Sequence, residues 1–145
     1  MTIKEFVQLA ISEDIKDGDH SALACIPTSS QGDAQLLIKE NGILAGVEIA
    51  KKIFHEFDSS FKVKVLIKDG EKVNKGDIAF AVYGPSATLL SAERLVLNVM
   101  QRMSAIATLT NKYVQELKGL KTKVLDTRKT TPLIRFLEKE AVRIG

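Results

Sequence analysis

Residues 86–117, SATLLSAERLVLNVMQRMSAIATLTNKYVQEL, form the stretch of the sequence that decides the fold. Apolar residues recur at helical spacing along most of it, and Pro85 just before it is tolerated in the first turn of a helix. The pattern predicts one long helix that ends near Leu117, with a break near Ser104 and Ala105. A helix with such a broad apolar arc is expected to be mostly buried.

Shorter patterns of both kinds precede this helix. They predict three strands (residues 33–39, 62–67 and 78–84) and two helices (residues 3–12 and 46–57). Strands and helices in this order indicate an α+β protein in which helices cover a sheet. We therefore predict that residues 1–117 form an N-terminal α/β sandwich domain that includes the long helix.

The remainder of the chain contains one more strand-like run and one more helical pattern. KVLDT at residues 123–127 is typical of a short strand, and Thr131 as N-cap with Pro132 in the first turn restarts a helix. One strand with one helix cannot bury itself as a parallel sheet, because such a sheet needs neighbouring strands and helices on both faces. We therefore expect residues 118–145 to be the first βα unit of an incomplete α/β barrel, and the chain to be a fragment.

The composition is ordinary for a globular chain of about one domain, with 45% hydrophobic and 27% charged residues. Lys and Arg total 21 against 18 Asp and Glu, and they are interleaved with the acids, so the mild excess does not demand nucleic acid and a small anionic ligand would fit equally well. We expect no nucleic-acid partner. The single cysteine, Cys25, excludes an intrachain disulfide. Neither a membrane span nor a signal peptide is recognisable, so we expect a cytoplasmic protein without membrane association.

A polar stripe runs along the predicted long helix. Its members are spaced to share one face: Arg94, Asn98, Gln101, Ala105 and Thr108. If the helix is buried, Arg94 needs an anionic partner, because an unpaired buried charge is costly. Taken alone, such a stripe is more often the solvated face of an amphipathic helix.

The sequence DTRKTTP at residues 126–132 is a second candidate. Arg128 and Lys129 would lie at the carboxyl end of a strand, next to a helix that begins at Thr131 and Pro132. Two cations, hydroxyl groups and a helix N-terminus together favour an anion site. The alternative is a solvated basic turn with an ordinary helix cap.

Four segments together resemble one family. They are ERLVLNVMQRMSAIAT at residues 93–108, DTRKTTPLIRFLEKEAVRIG at 126–145, EDIKDGDHS at 13–21 and GILAGVEIA at 42–50. Each motif alone is weak, but as a set they are similar to the quinolinate phosphoribosyltransferases. The resemblance covers essentially the whole chain.

The resemblance implies a reaction and a set of residues. Quinolinate and phosphoribosyl pyrophosphate would give nicotinate mononucleotide, pyrophosphate and carbon dioxide in NAD biosynthesis, with Mg²⁺ accompanying the phosphoribosyl donor and no cofactor held by this chain itself. Thr127, Arg128 and Lys129 would line the substrate site, with Arg128 on a quinolinate carboxylate. Arg94 would reach into the site of a neighbouring subunit, since the family forms head-to-tail homodimers. No catalytic residue is assigned, because the chemistry would rest on positioning and electrostatic stabilisation.

The chain also departs from the family pattern. Ala105 replaces a usual glycine, and Leu133 with Ile134 replaces a glycine-hydrophobic pair after Pro132. The phosphoribosyl-binding part of the pattern lies beyond Gly145, so we expect no measurable transferase activity from these 145 residues alone.

Two alternatives remain open. One is the related phosphoribosyltransferase-like protein associated with molybdate transport, which shares the architecture. The other is a non-catalytic carrier or binding module, because DGEKVNKGD at residues 69–77 resembles the hairpin turn of lipoyl or biotinyl carriers.

Overall fold

The computed structural model describes residues 1–145 and contains five helices. They are α1 (Ile3–Asp14), α2 (His20–Cys25), α3 (Val47–Phe57), α4 (Ser86–Glu116) and α5 (Arg135–Ile144). The predicted positions of α1, α3 and α4 are confirmed. Helix α2 is absent from the predictions because its six residues are too few to show a helical repeat. None of the five helices is long and apolar enough to cross a membrane.

Five strands form two small antiparallel sheets. The strands are β1 (Gln31–Leu37), β2 (Gly42–Ile43), β3 (Lys62–Val65), β4 (Lys72–Val73) and β5 (Ile78–Pro85). A three-stranded sheet has the order β1-β5-β3, and β2 pairs with β4. The three predicted strands and the α+β class are therefore confirmed. Strands β2 and β4, of two residues each, are too short to produce an alternating pattern.

The core lies between the three-stranded sheet, α3 and α4. Its largest fully buried side chains come from four elements and include Val7 on α1, Ile53 on α3, Phe80 on β5, and Val96 and Met103 on α4. Two aromatic contacts join α3 to the sheet region, with the Phe54 ring centroid 5.3 Å from that of Phe61 and 6.1 Å from that of Phe80. This core packs α4 against α3 and against one face of the sheet.

Helix α4 is continuous over 31 residues, so the predicted break near Ser104 and Ala105 is wrong. The polar residues at that point bond outward to the segment that contains β2. The Ser104 hydroxyl accepts from the Ala45 N–H at 3.0 Å and lies 3.1 Å from the Ala45 carbonyl, while Thr108 Oγ1 accepts from the Ile43 N–H at 2.9 Å. The hydroxyls that weaken the helical pattern are therefore tertiary contacts rather than a helix end.

The region after α4 differs from the prediction in two ways. Residues 123–127 form no strand, and α5 begins at Arg135 with Ile134 as its N-cap, so Thr131 is not the cap and Pro132 is not in the first turn. A strand at this position has no neighbour among residues 1–145 with which to exchange backbone hydrogen bonds. Of the expected βα unit, the helix is present and the strand is not.

Helix α5 shares the core of the residues before it. Leu137 and Ala141 are buried in the same hydrophobic cluster as α4, and the rings of Phe6 and Phe136 meet edge to face with centroids 5.6 Å apart. The Gly145 carbonyl accepts a hydrogen bond from the Asn111 side chain at 3.2 Å. The division into domains at residue 117 stays a prediction.

Candidate functional site

Arg94 lies on α4 with 53% of its side chain exposed, so the prediction that it is buried is wrong. The predicted anionic partner exists and comes from the end of α1. Arg94 Nε and Nη2 each lie 2.9 Å from Asp14 Oδ2, and Nη2 is 3.6 Å from Asp19 Oδ2. The hydrogen bonds and charge of Asp14 raise the pKa of Arg94 above its ordinary value. Arg94 is therefore a fixed cation at the surface.

Asp19 connects this ion pair to two helices. Its carboxylate accepts from the Ala22 N–H at 3.1 Å, which caps α2, and from the Ser91 hydroxyl on α4 at 3.0 Å. These two hydrogen bonds lower the pKa of Asp19 below its ordinary value, and the bond from the Ala22 N–H has the larger effect. The EDIKDGD segment thus holds the acids that orient Arg94.

The other members of the predicted stripe divide into two groups. Asn98, Gln101 and Ala105 are exposed, whereas Thr108 is half-buried and bonded to residue 43. On this chain most of the stripe is the solvated face of an amphipathic helix.

The loop at residues 126–132 brings three of the four predicted site residues together. Thr127 Oγ1 accepts from the Lys129 N–H at 3.2 Å, which folds the loop back on itself. The side chains of Arg128 and Lys129 are exposed and make no hydrogen bond or ion pair. Asp126, the one acid in the loop, pairs instead with Lys139 on α5 at 2.7 Å. Two cations are therefore free to meet an anion.

Arg102 is absent from the predicted site, although it binds this loop. Its guanidinium donates to Glu138 Oε1 from Nε at 2.9 Å and from Nη2 at 2.6 Å, and Nη2 also lies 3.0 Å from Thr131 Oγ1. Glu138 Oε2 accepts from the Thr131 N–H at 3.0 Å. One feature of the sequence could have pointed to Arg102, because it is the second arginine of ERLVLNVMQR, eight positions after Arg94.

Glu138 is a buried carboxylate with a full set of partners. Only 6% of the residue is exposed, and that burial raises its pKa. The hydrogen bonds from Arg102 and Thr131 outweigh burial, so the pKa of Glu138 lies below its usual range. The carboxylate is therefore charged near neutral pH, as its ion pair with Arg102 requires.

Arg94 and the loop occupy separate places on this chain. No hydrogen bond or ion pair joins Arg94 to residues 126–132. Arg102, which does contact the loop, lies about 12 Å further along the axis of α4, because each helical residue advances 1.5 Å. The four predicted residues thus form one cluster of three and one separate arginine.

A groove of about 680 Å³ lies between α4 and the segment 36–44. It contains none of the four predicted site residues. Its hydroxyl groups, from Ser104 and Thr108, already serve the backbone of residues 43–45, and ten of its eighteen lining residues are hydrophobic. The unpaired cations of the loop are therefore the better candidate for an anion site.

Two family models match consecutive parts of the chain. The model for the quinolinate phosphoribosyl transferase N-terminal domain matches residues 19–104, which is more than half of the chain. The chain belongs to the quinolinate phosphoribosyl transferase family. The model for the family's C-terminal domain matches residues 106–145, so the two models meet inside α4. The segment at residues 69–77, on which the carrier interpretation rests, lies within the region matched by the N-terminal domain model.

Known family members agree in sequence and in structure. A Nicotiana glauca protein named quinolinate phosphoribosyltransferase (decarboxylating) 2, mitochondrial, is 46% identical over 144 residues, covering 99% of this chain and 40% of that protein. The crystal structure of NadC from Streptococcus pyogenes has a TM-score of 0.95 at 37% identity, covering 99% of this chain and 51% of that one. The nicotinate-nucleotide pyrophosphorylase from Francisella tularensis has a TM-score of 0.90 at 35% identity, again covering 99% and 51%. This chain therefore spans about half the length of these family members.

Proposed function

We propose that this chain carries part of the quinolinate-binding site of a phosphoribosyltransferase that makes nicotinate mononucleotide, pyrophosphate and carbon dioxide. The observation that carries the proposal is the pair of exposed, unpaired cations, Arg128 and Lys129, beside Thr127 in a chain of this family. By contrast, Arg94 and Arg102 are both paired with carboxylates of this chain.

The chemistry of the substrates matches these cations. Quinolinate is a dicarboxylate, and an arginine can bind a carboxylate through two parallel hydrogen bonds, whereas a lysine supplies a point charge. Because Lys139 neutralises Asp126, that acid does not compete with a ligand for Arg128 or Lys129. The loop would then position the substrate and stabilise the negative charge that develops as the carboxylate leaves.

Arg94 and Mg²⁺ belong to the proposal for the whole enzyme. Arg94 would meet the quinolinate held by the neighbouring subunit of a head-to-tail homodimer, with Asp14 and Asp19 orienting its guanidinium. We propose that this chain has no resident metal site, and the proposal is supported by the lack of any group of three or more His, Cys, Asp and Glu side chains placed to hold a metal ion. Mg²⁺ would enter with phosphoribosyl pyrophosphate, and the enzyme would work in the cytoplasm.

The direct test is calorimetric titration of quinolinate into the 145-residue chain. Binding should weaken by about tenfold or more in Arg128→Ala, because a charge-assisted contact to a carboxylate contributes about 1.5–3 kcal/mol. Arg135→Ala is the matched control, since Arg135 is a nearby exposed arginine without a side-chain partner. Equal quinolinate affinity in Arg128→Ala and wild type would refute the proposed role of the loop.

A chimera tests the reaction itself. Residues 1–145 would be joined to the remaining half of the Francisella tularensis protein, whose structure superposes on this chain with a TM-score of 0.90. We expect quinolinate-dependent release of carbon dioxide from the chimera and none from the 145-residue chain. Turnover by the short chain alone would contradict the second expectation. A chimera that prefers nicotinate to quinolinate would favour the molybdate-associated relative.

A further inference from the structure

The segment at residues 121–133, which includes the loop at residues 126–132, has almost no backbone support. None of its backbone groups takes part in a backbone–backbone hydrogen bond, and residues 127–129 bond only to one another. Its position depends on two side-chain contacts with the rest of the chain. One is the ion pair of Asp126 with Lys139, and the other is the cluster of Arg102, Thr131 and Glu138.

The cluster has the features of a rigid clamp, whereas the ion pair does not. Lys139 and Asp126 have 40% and 36% of their side chains exposed, and exposed pairs restrain a chain weakly. Arg102 has 54% of its side chain exposed, but Glu138 is only 6% exposed, and its two oxygens receive four hydrogen bonds, from Arg102 Nε and Nη2 and from the Thr131 N–H and hydroxyl. A buried carboxylate with this many donors has one arrangement available to it.

The geometry also requires an arginine at position 102. Its Nη2 lies 2.6 Å from Glu138 Oε1 and 3.0 Å from Thr131 Oγ1, while Nε lies 2.9 Å from Glu138 Oε1. A planar guanidinium presents these donors in a fixed fork, whereas a lysine ammonium would keep the charge without that geometry. Helix α4, the loop and α5 thus meet at one side chain.

We propose that Arg102 and Glu138 are positioning residues that hold Thr131, and with it Arg128 and Lys129, in the arrangement that receives the anion. Only the identity of the anion rests on the proposed function. The clamp itself is a property of this chain, because Glu138 fixes Thr131, which is three positions after Arg128.

Limited trypsin digestion with mass spectrometry tests the clamp, since trypsin cuts after Arg128 and Lys129 when the loop opens. The variants are Arg102→Lys and Thr131→Val, and the latter leaves the Arg102–Glu138 ion pair in place. We expect about tenfold faster cleavage at these two positions in both variants, because local opening controls proteolysis. Cleavage after Lys16, in the turn that follows α1, should not change and serves as the internal reference.

The matched control is Arg143→Lys, which alters a surface arginine paired with Glu140 within α5. Amide hydrogen exchange of residues 136–144 separates positioning from general stabilisation. The proposal holds if the loop opens while these helical amides keep their protection to within about twofold. It is overturned if cleavage in the loop is unchanged, or if α5 and the loop lose protection together in both variants.

Quinolinate titration distinguishes this proposal from the proposed function. Arg102→Lys should weaken quinolinate binding about tenfold, and Arg143→Lys should leave it unchanged. If the wild-type chain does not bind quinolinate, the proposed function fails, and the cleavage and exchange measurements still decide whether Arg102 and Glu138 hold the loop.

Discussion

At the scale of single residues, three arginines of this chain differ in whether an acid is available to pair with them. Arg94 is paired with Asp14, and Arg102 with Glu138, so both are committed to contacts within the chain. Arg128 has no such partner, because the acid two positions before it is taken by Lys139. The same residue type therefore serves as a support at two positions and as a candidate ligand-binding group at the third.

Glu138→Gln should lower the stability of the chain by an amount that depends on pH. The folded state lowers the pKa of Glu138, so its charged contacts stabilise the fold above the ordinary glutamate pKa of 4.5 and are lost as the pH falls below it. We expect a difference of about 2 kcal/mol at pH 7, as for other charge-assisted hydrogen bonds. Urea unfolding of Glu138→Gln and wild type at about five pH values between pH 3 and pH 7 would measure this difference in stability.

A difference between Glu138→Gln and wild type that stays constant from pH 7 down to about pH 3 would contradict this assignment, because protonated Glu138 and Gln are nearly equivalent. Glu93→Gln is a control, since Glu93 is exposed on α4 and makes no ion pair.

Leu133 is a second informative residue, because its backbone has a φ of 69°. This left-handed conformation costs a non-glycine residue about 1–2 kcal/mol. Leu133 is also the position where the family pattern has glycine, and its side chain is 74% exposed. The departure recognised in the sequence thus coincides with a strained backbone position in the loop.

Leu133→Gly should stabilise the chain by about 0.5–1 kcal/mol, because relief of the strain exceeds the added freedom of glycine in the unfolded state. Thermal unfolding measures the change. Leu125→Gly is the control, since Leu125 is 85% exposed in the same loop and has no positive φ. Equal loss of stability in both variants would show that Leu133 is not strained.

At the scale of elements, α4 organises its neighbours through hydroxyl groups as well as apolar packing. Ser104 and Thr108 bond to the backbone of residues 43–45, a segment with little sheet of its own. Gly46, which follows that segment, has a φ of 102°, and a Cβ there would lie 3.3 Å from Met100 Cα on α4. The GILAG motif is therefore shaped by its close approach to the long helix.

Thr108→Val and Ser104→Ala should each destabilise the chain by about 1–2 kcal/mol, since each leaves a backbone N–H without its partner. Denaturant unfolding would measure the loss, with Thr122→Val as the control because Thr122 is exposed and makes no side-chain hydrogen bond. If Thr108→Val and Thr122→Val were equally stable, the hydroxyl bond to Ile43 would contribute nothing.

At the scale of the whole molecule, one core joins the two parts that the family models distinguish. The models meet at residue 105, yet α4 runs through that point and α5 packs against it. Helix α4 also bears both Arg94 and Arg102, so it links the arginine proposed for a neighbouring subunit to the loop proposed to bind quinolinate in its own. A site shared between subunits would therefore be coupled through one rigid element.

Mixing two inactive chimeras tests that sharing. In a head-to-tail dimer, a subunit with Arg94→Ala and a subunit with Arg128→Ala form a heterodimer in which one site has both substitutions and the other has neither. Random exchange should restore about a quarter of the wild-type activity, because half of the dimers are mixed and each has one intact site. Activity that stays at the level of the separate variants would place Arg94 and Arg128 in the same subunit's site.

The sequence was sufficient for the elements whose patterns are local and for the family. The sequence predicts α1, α3 and α4 from their apolar repeats, β1 and β3 from their alternation, and β5 from its β-type run of residues. These patterns are visible in the sequence because each element buries one side against the same core. The family follows from four short motifs that occur together. The assignment of Arg128 and Lys129 to the substrate site also comes from the resemblance, and it stays a prediction.

Only the tertiary structure decided which residues these elements bring into contact. Arg94 meets an acid 80 positions earlier, and Arg102 meets one 36 positions later, and no periodic pattern records pairings at such separations. The same holds for residues 123–127, whose composition suits a strand but which have no neighbouring strand in this chain. Sequence periodicity reports whether a side chain is buried, whereas the identity of its partner depends on how distant segments pack.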